Sequence, residues 1–267
     1  MIDGREPKPK KKFGQHFLAD RTVLLRIADT CALRTEDTVI EIGAGTGQLT
    51  TLLGERAGRV IAIEKDRDLI PKLHHACAHL KTVEIVNQDV LRFNPADFGV
   101  ARGYVLAGNI PYYITGKIIE FALEQWPAPK RIVFTVQKEV AERICAKPGH
   151  LSILGVLTQT LALPTIIKTI PRGAFSPPPK VDSAILELVP HDRISEKQFA
   201  LMKNAVKAGF SHPRKLCASN ISASYGMAKT ETEKLFGQCA IQPSARAQNI
   251  TVEQWIKIST LLKPFSA

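Results

Sequence analysis

Short apolar runs alternate with stretches of helical period through the first part of the chain, and helical period alone fills the rest. Residues 39–42, 60–63, 83–86, 104–107 and 131–136 are runs of four to six residues, mostly apolar. Such runs are typical of strands buried on both faces. Between them, helical spacing predicts helices from an Asp20 N-cap to Thr30, from Leu49 through Leu52 and Leu53, and over about 67–79, 117–125 and 138–147. Strands alternating with helices imply right-handed crossovers and a mostly parallel sheet. An apolar helix over 153–163 follows, then two β-rich runs, 164–170 and 181–189, separated by Phe175-Ser176-Pro177-Pro178-Pro179. Such a late pair is expected to close the sheet with an antiparallel edge. Beyond Pro190 the period is helical, at about 195–209, 214–224, 230–237 and 251–262. The expected fold is therefore α/β, a Rossmann-like, mostly parallel seven-stranded sheet with a small all-α C-terminal domain. Its divisions are a basic arm over 1–12, an α/β domain over 13–190 and a helical domain over 191–267.

Composition narrows the class. With 45% hydrophobic and 23% charged residues among 267, the chain is that of an ordinary globular protein. No apolar run approaches the roughly 20 residues that span a membrane, and no apolar segment follows the charged first dozen residues as in a secretory signal. Cysteines 31, 77, 145, 217 and 239 form no C-x-x-C pair. They are expected to be reduced thiols of a cytoplasmic protein, with neither a zinc site nor a disulfide framework. The net charge of +11 is unevenly spread: +3 over residues 1–12, +6 over 190–267 and only +2 between. A polyanion gripped from the two ends fits that division, with Lys8, Lys10, Lys11 and Lys12 in the arm. Solvated lysines would produce the same charge pattern without any nucleic acid.

The chemistry lies in the middle. Gly43-Ala44-Gly45-Thr46-Gly47 follows the first strand of the parallel set and matches neither the dinucleotide fingerprint nor a P-loop. Its glycines allow a sharp turn and close approach to a ligand. Glu64, 21 residues after Gly43, ends the next strand, where a carboxylate can accept from both ribose hydroxyls. Asp89 follows the third and can accept from an adenine amine. Singly, each acid is as well explained by solvation; together they outline a crevice for a ligand with adenine and ribose but no pyrophosphate, which is S-adenosylmethionine. The fourth strand runs into Asn109-Ile110-Pro111-Tyr112. The exocyclic amine of adenine is a poor nucleophile, because its lone pair is delocalised. The Asn109 carboxamide oxygen and the Ile110 carbonyl are two acceptors that could hold its hydrogens. Pro111 fixes the backbone so that they converge, and Tyr112 offers a face for the base. Alone, the tetrapeptide is also a plain Asn-x-Pro turn.

With these motifs in order, the chain resembles the bacterial small-subunit ribosomal RNA adenine dimethyltransferases, the KsgA family, from Lys11 to about residue 260. The resemblance is carried by Lys12-Phe13-Gly14-Gln15-His16-Phe17-Leu18, Glu41 to Gly47, Glu64-Lys65-Asp66, Gln88-Asp89, Asn109 to Tyr112, Gln137 to Ala141, and Phe175 to Ser183. It implies an S-adenosylmethionine-dependent methyltransferase fold and no metal. It further implies donor contacts at His16, Leu18, Gly43, Glu64, Asp89 and Asn109, with Gly45 in the same turn. Asn109 and Tyr112 would hold the target base, and Phe175 would sandwich it from the other side. The implied substrate is two adjacent adenosines near the 3′ end of small-subunit (16S) ribosomal RNA, each methylated twice within an immature 30S subunit by a monomer. Two departures bear on RNA contacts: the loop after Gly149 is short, and His212-Pro213 precede Arg214-Lys215 where the family shows consecutive arginines. The alternatives are a large-subunit adenine methyltransferase of the antibiotic-resistance type and a ribosome-assembly factor with secondary catalysis.

Overall fold

A computed structural model of the chain describes residue 10 and residues 14–262; Lys8, Lys11, Lys12 and Phe13 lie outside the described residues. The chain divides into two units, residues 1–141 with 164–190 and residues 142–163 with 191–267.

The first unit begins with a two-residue strand, β1 (Phe17–Leu18), and a helix, α1 (Arg21–Thr30). Asp20 caps α1 as its position predicts, its carboxylate accepting the Thr22 and Val23 N–H groups. There follow β2 (Thr38–Ile42), α2 (Gln48–Gly54), β3 (Arg59–Glu64), α3 (Ile70–Cys77), β4 (Val83–Asn87), β5 (Val105–Asn109), α4 (Thr115–Glu124) and β6 (Arg131–Gln137). Next come α5 (Lys138–Ile144), which runs into the second unit, and α6 (Ile153–Leu161) within it. The chain returns to the sheet with β7 (Ala162–Ile170), then β8 (Phe175–Ser176) and β9 (Ser183–Pro190).

Among the described residues the main sheet has seven strands in the order β4-β3-β2-β5-β6-β9-β7. Neighbours from β4 to β6 are parallel, and β9 runs antiparallel to β6. This is the expected mostly parallel sheet, its late pair forming one edge. Strands β2, β3, β5 and β6 are buried along nearly their whole length, because helices cover both faces. One pairing has no counterpart in the periodicity: β1 pairs antiparallel with β8, Leu18 opposite Phe175.

The second unit holds α6 together with α7 (Glu196–Gly209), α8 (Cys217–Tyr225), α9 (Lys229–Gln238) and α10 (Val252–Leu261). Leu151 and Val156 belong to the same buried cluster as Met202, Phe236 and Trp255. The helical unit thus takes in 142–163, a stretch that the sequence reading placed with the sheet. Helix α6 is apolar enough to pack on either, and the α7–α10 core is where its buried face is covered.

Candidate active site

Strand order reverses between β2 and β5, and open α/β sheets bind ligands beyond the carboxyl ends of strands at such a point. A crevice lies there, lined by residues 14–17, Ile42, Gly43, Gly45, Ile63, Glu64, Lys65, Leu69, residues 88–91 and residues 109–114. Two glycines bring the strand ends together. Gly43 has φ +74°, and a Cβ there would lie 3.3 Å from the Asn109 carbonyl oxygen. A Cβ on Gly108 would come within 2.3 Å of the Ile42 oxygen, well inside contact distance. A side chain at Gly108 would force β2 and β5 apart, and one at Gly43 would be strained by the positive φ.

At one end of the crevice Glu64 is 7% exposed. Its Oε2 accepts the Gly45 N–H at 2.8 Å and its Oε1 the Asp66 N–H at 2.7 Å. Burial raises the carboxyl above its ordinary range, and these backbone donors oppose the shift. Each carboxylate oxygen has a second lone pair, so Glu64 can also accept from a pair of vicinal hydroxyls. Asp89 caps the turn after β4 by accepting the Leu91 N–H at 3.1 Å, and pairs with Lys65 Nζ at 2.8 Å. Burial alone would raise Asp89; Lys65 and the Leu91 N–H outweigh it and hold the carboxyl below its ordinary range. A buried carboxylate able to accept from vicinal hydroxyls, a charged acceptor beyond it and a glycine turn fit the adenosyl group of S-adenosylmethionine. Among the described residues, no group of three or more His, Cys, Asp or Glu is placed to hold a metal.

At the other end Asn109 closes β5, and Ile110, Pro111 and Tyr112 turn away from it into a short 3-10 helix, Tyr112–Ile114. Asn109 Nδ2 donates to the His16 carbonyl at 2.8 Å. A carbonyl can only accept, so this contact assigns the amide nitrogen and leaves Oδ1 as the acceptor for an incoming amine. Tyr112 Oη lies 2.6 Å from Ser183 Oγ, and Ser183 is fully buried. The Tyr112 ring stacks with that of His16, centroids 6.0 Å apart and planes 19° from parallel. His16 Nδ1 is 2.8 Å from the Pro177 carbonyl and therefore carries the proton in that contact. The 175–183 segment thus tethers both rings. Burial raises the Tyr112 phenol, with the Ser183 contact opposing.

A family model described as ribosomal RNA adenine dimethylase matches residues 7–263. The chain belongs to this family. It is 37% identical over 262 residues to "Ribosomal RNA small subunit methyltransferase A" of Dehalococcoides mccartyi (strain CBDB1), covering 97% of this chain and 90% of the relative. The like-named protein of Rubrobacter xylanophilus is 35% identical over 267 residues, 98% of each chain. Among solved structures, a dimethyladenosine transferase from Plasmodium falciparum aligns with TM-score 0.78 and 25% identity over 91% of this chain and 96% of its own. The 23S rRNA methyltransferase ErmE aligns with TM-score 0.77 and 28% identity, over 91% and 98%. The fold is accordingly the Rossmann-like methyltransferase fold, and members of the dimethylase family use S-adenosylmethionine.

For this member of the dimethylase family, the crevice brings together His16, Gly43, Gly45, Glu64, Asp89, Asn109, Ile110, Pro111 and Tyr112. Leu18 and Phe175 stand elsewhere. They face each other across the β1–β8 pair and are buried in an apolar cluster with Ile170 and Ala174, Phe175 being 3% exposed. The resemblance implied that Phe175 sandwiches the base; here its ring is covered by that apolar cluster and is not among the residues lining the crevice. By that pairing it braces the strand next to His16. The Lys10 ammonium is likewise committed: it pairs with Asp66 and Asp68, each at 2.5 Å, while the Lys10 backbone N–H donates to Gln15 Oε1 at 2.8 Å. Gln15 Nε2 in turn donates to Asp66 at 2.9 Å. Arg214 and Lys215 lie exposed in the loop between α7 and α8, a loop held by Asn220 Nδ2 on the Gly209 and His212 carbonyls at 2.7 and 3.1 Å. Sequence reasoning gave no role to Ser183, Gln15 or Asp66. All three sit inside recognisable motifs, and that was the one available signal.

Proposed function

We propose that this chain transfers methyl groups from S-adenosylmethionine to the exocyclic amines of two adjacent adenosines near the 3′ end of small-subunit ribosomal RNA. The products are dimethyladenosines made during 30S subunit biogenesis, and the enzyme acts as a cytoplasmic monomer. The observation that carries the reading is the Asn109 amide, its nitrogen bound to the His16 carbonyl and its oxygen left to accept, beside a crevice end that fits an adenosyl group. S-adenosylmethionine supplies an electrophilic methyl on a sulfonium. Everything else falls to the chain. Glu64 and Asp89 hold the nucleoside, and the Gly43–Gly45 turn lets it approach. Asn109 Oδ1 and the Ile110 carbonyl accept the amine hydrogens and stabilise the positive charge that develops on nitrogen. Tyr112 stacks on the base, a contact of about 1–3 kcal/mol, and fixes its distance. The methylated ammonium is acidic enough to lose its proton to water. The base must reach the slot unstacked. Lys8, Lys11, Lys12, Arg214 and Lys215 are proposed to grip phosphate, which makes RNA affinity fall steeply with salt.

Fold likeness does not separate small- from large-subunit targets, since TM-scores of 0.78 and 0.77 are equal for this purpose. The relatives matched by sequence favour the small subunit: those of Dehalococcoides mccartyi and Rubrobacter xylanophilus, 37% and 35% identical over nearly the whole chain, both carry a small-subunit name. The test is transfer of labelled methyl to undermethylated small subunits, with large subunits in parallel, followed by nucleoside analysis. Label in dimethyladenosine from small subunits is the expected result; label confined to large subunits would reject the target.

A further inference from the structure

Tyr112 and Tyr113 are consecutive on the 3-10 turn, yet they face different surroundings. Tyr112 is tied to Ser183, while Tyr113 also borders the crevice and is 66% exposed. Burying an aromatic ring is favourable, so an exposed tyrosine that lines a site offers a face a ligand can cover. The ring is supported from one side: a Cβ on Gly14 would lie 3.6 Å from two of its carbons, which brings the Gly14 backbone close to it.

We propose that Tyr113 is the stacking platform for the nucleobase next to the one held at Tyr112, so that the enzyme holds two consecutive unpaired bases. This inference rests on the function proposed above and names a second base subsite within it. Drawing one base out of a stack leaves a bare face on its neighbour. Tyr112 and Tyr113 line the same crevice, so the neighbour of a base held at Tyr112 is within reach of Tyr113. Stacking also suits a substrate that changes as it is processed. Dimethyladenine has lost both amine hydrogens, so a subsite that read them would fail once the first adenosine was finished. A π-face survives methylation and every base has one, so Tyr113 takes the neighbour on its side of the slot whichever adenosine is the target and in either round.

The experiment compares wild type, Tyr113→Ala and Tyr113→Phe on undermethylated small subunits, and on small subunits in which one or the other of the two adenosines is replaced by an abasic residue. Methylation is read at the remaining adenosine. Tyr113→Ala is expected to lower kcat/KM about tenfold and Tyr113→Phe less than about twofold, with donor affinity and melting temperature unchanged. Wild type is expected to lose about as much on one of the two abasic subunits, and Tyr113→Ala to lose little more there, because the two changes remove one contact. A Tyr113→Ala enzyme within about twofold of wild type, or losses that multiply, would overturn the subsite. Wild type inert on both kinds of small subunit would instead overturn the function and take the subsite with it.

Discussion

The two ends of the crevice are built differently. Glu64 is held by near neighbours in the chain, the N–H groups of Asp66 and Gly45, two and nineteen residues away. The base slot is held by distant ones: Asn109 by His16 across 93 residues and Tyr112 by Ser183 across 71. The donor end is therefore a local motif that a strand and a glycine turn can form together. The slot exists only once β1, β5 and β9 have all been placed. Affinity for the donor and rate of transfer should accordingly break separately.

Glu64→Ala attacks the local end and should have the largest effect on binding. Losing a charged acceptor for two hydroxyls is expected to weaken the donor by about a hundredfold. Equilibrium titration measures this, and an affinity near that of wild type would remove Glu64 from the donor site. Ser183→Ala attacks the distant end. The Tyr112 ring loses its tether, and transfer should slow about tenfold with donor affinity intact. Tyr112→Phe with Ser183→Ala should be little slower than either alone, because both remove one contact. Independent, multiplying effects would separate Ser183 from the slot.

The remaining prediction concerns stability: Glu41 is buried behind the glycine turn, with Oε2 lacking a hydrogen-bond partner among the described residues. Burial pushes its carboxyl up to about 8, with Thr50 opposing and the charge of Glu64 adding. In the unfolded chain the carboxyl titrates near 4.3. The folded state therefore keeps a proton that the unfolded state releases between these values, and stability falls as pH rises through that window. Glu41→Gln should flatten the fall, as melting curves from about pH 5 to 8 would show. An unchanged slope would mean that Glu41 does not titrate there.

The same contrast explains what the sequence made legible. Apolar runs place β2 to β6, and Glu64, Asp89 and Asn109 follow because each belongs to a strand end. The β1–β8 pair is two residues long and has no period to read, so the inward turn of Phe175 could not be foreseen. Lys10 looked like one of four equivalent arm lysines until the structure put its ammonium on Asp66 and Asp68. Helix α6 was visible, but its partner was not, since an apolar face does not say what covers it.

The central claim is that Asn109 polarises the base and does little to hold the donor. Its most direct test is Asn109→Ala, measured by donor titration and by single-turnover methyl transfer to undermethylated small subunits. The account predicts donor affinity within about threefold of wild type and a transfer rate lower by about a hundredfold or more. A near-normal transfer rate would contradict it, and so would a loss confined to donor binding.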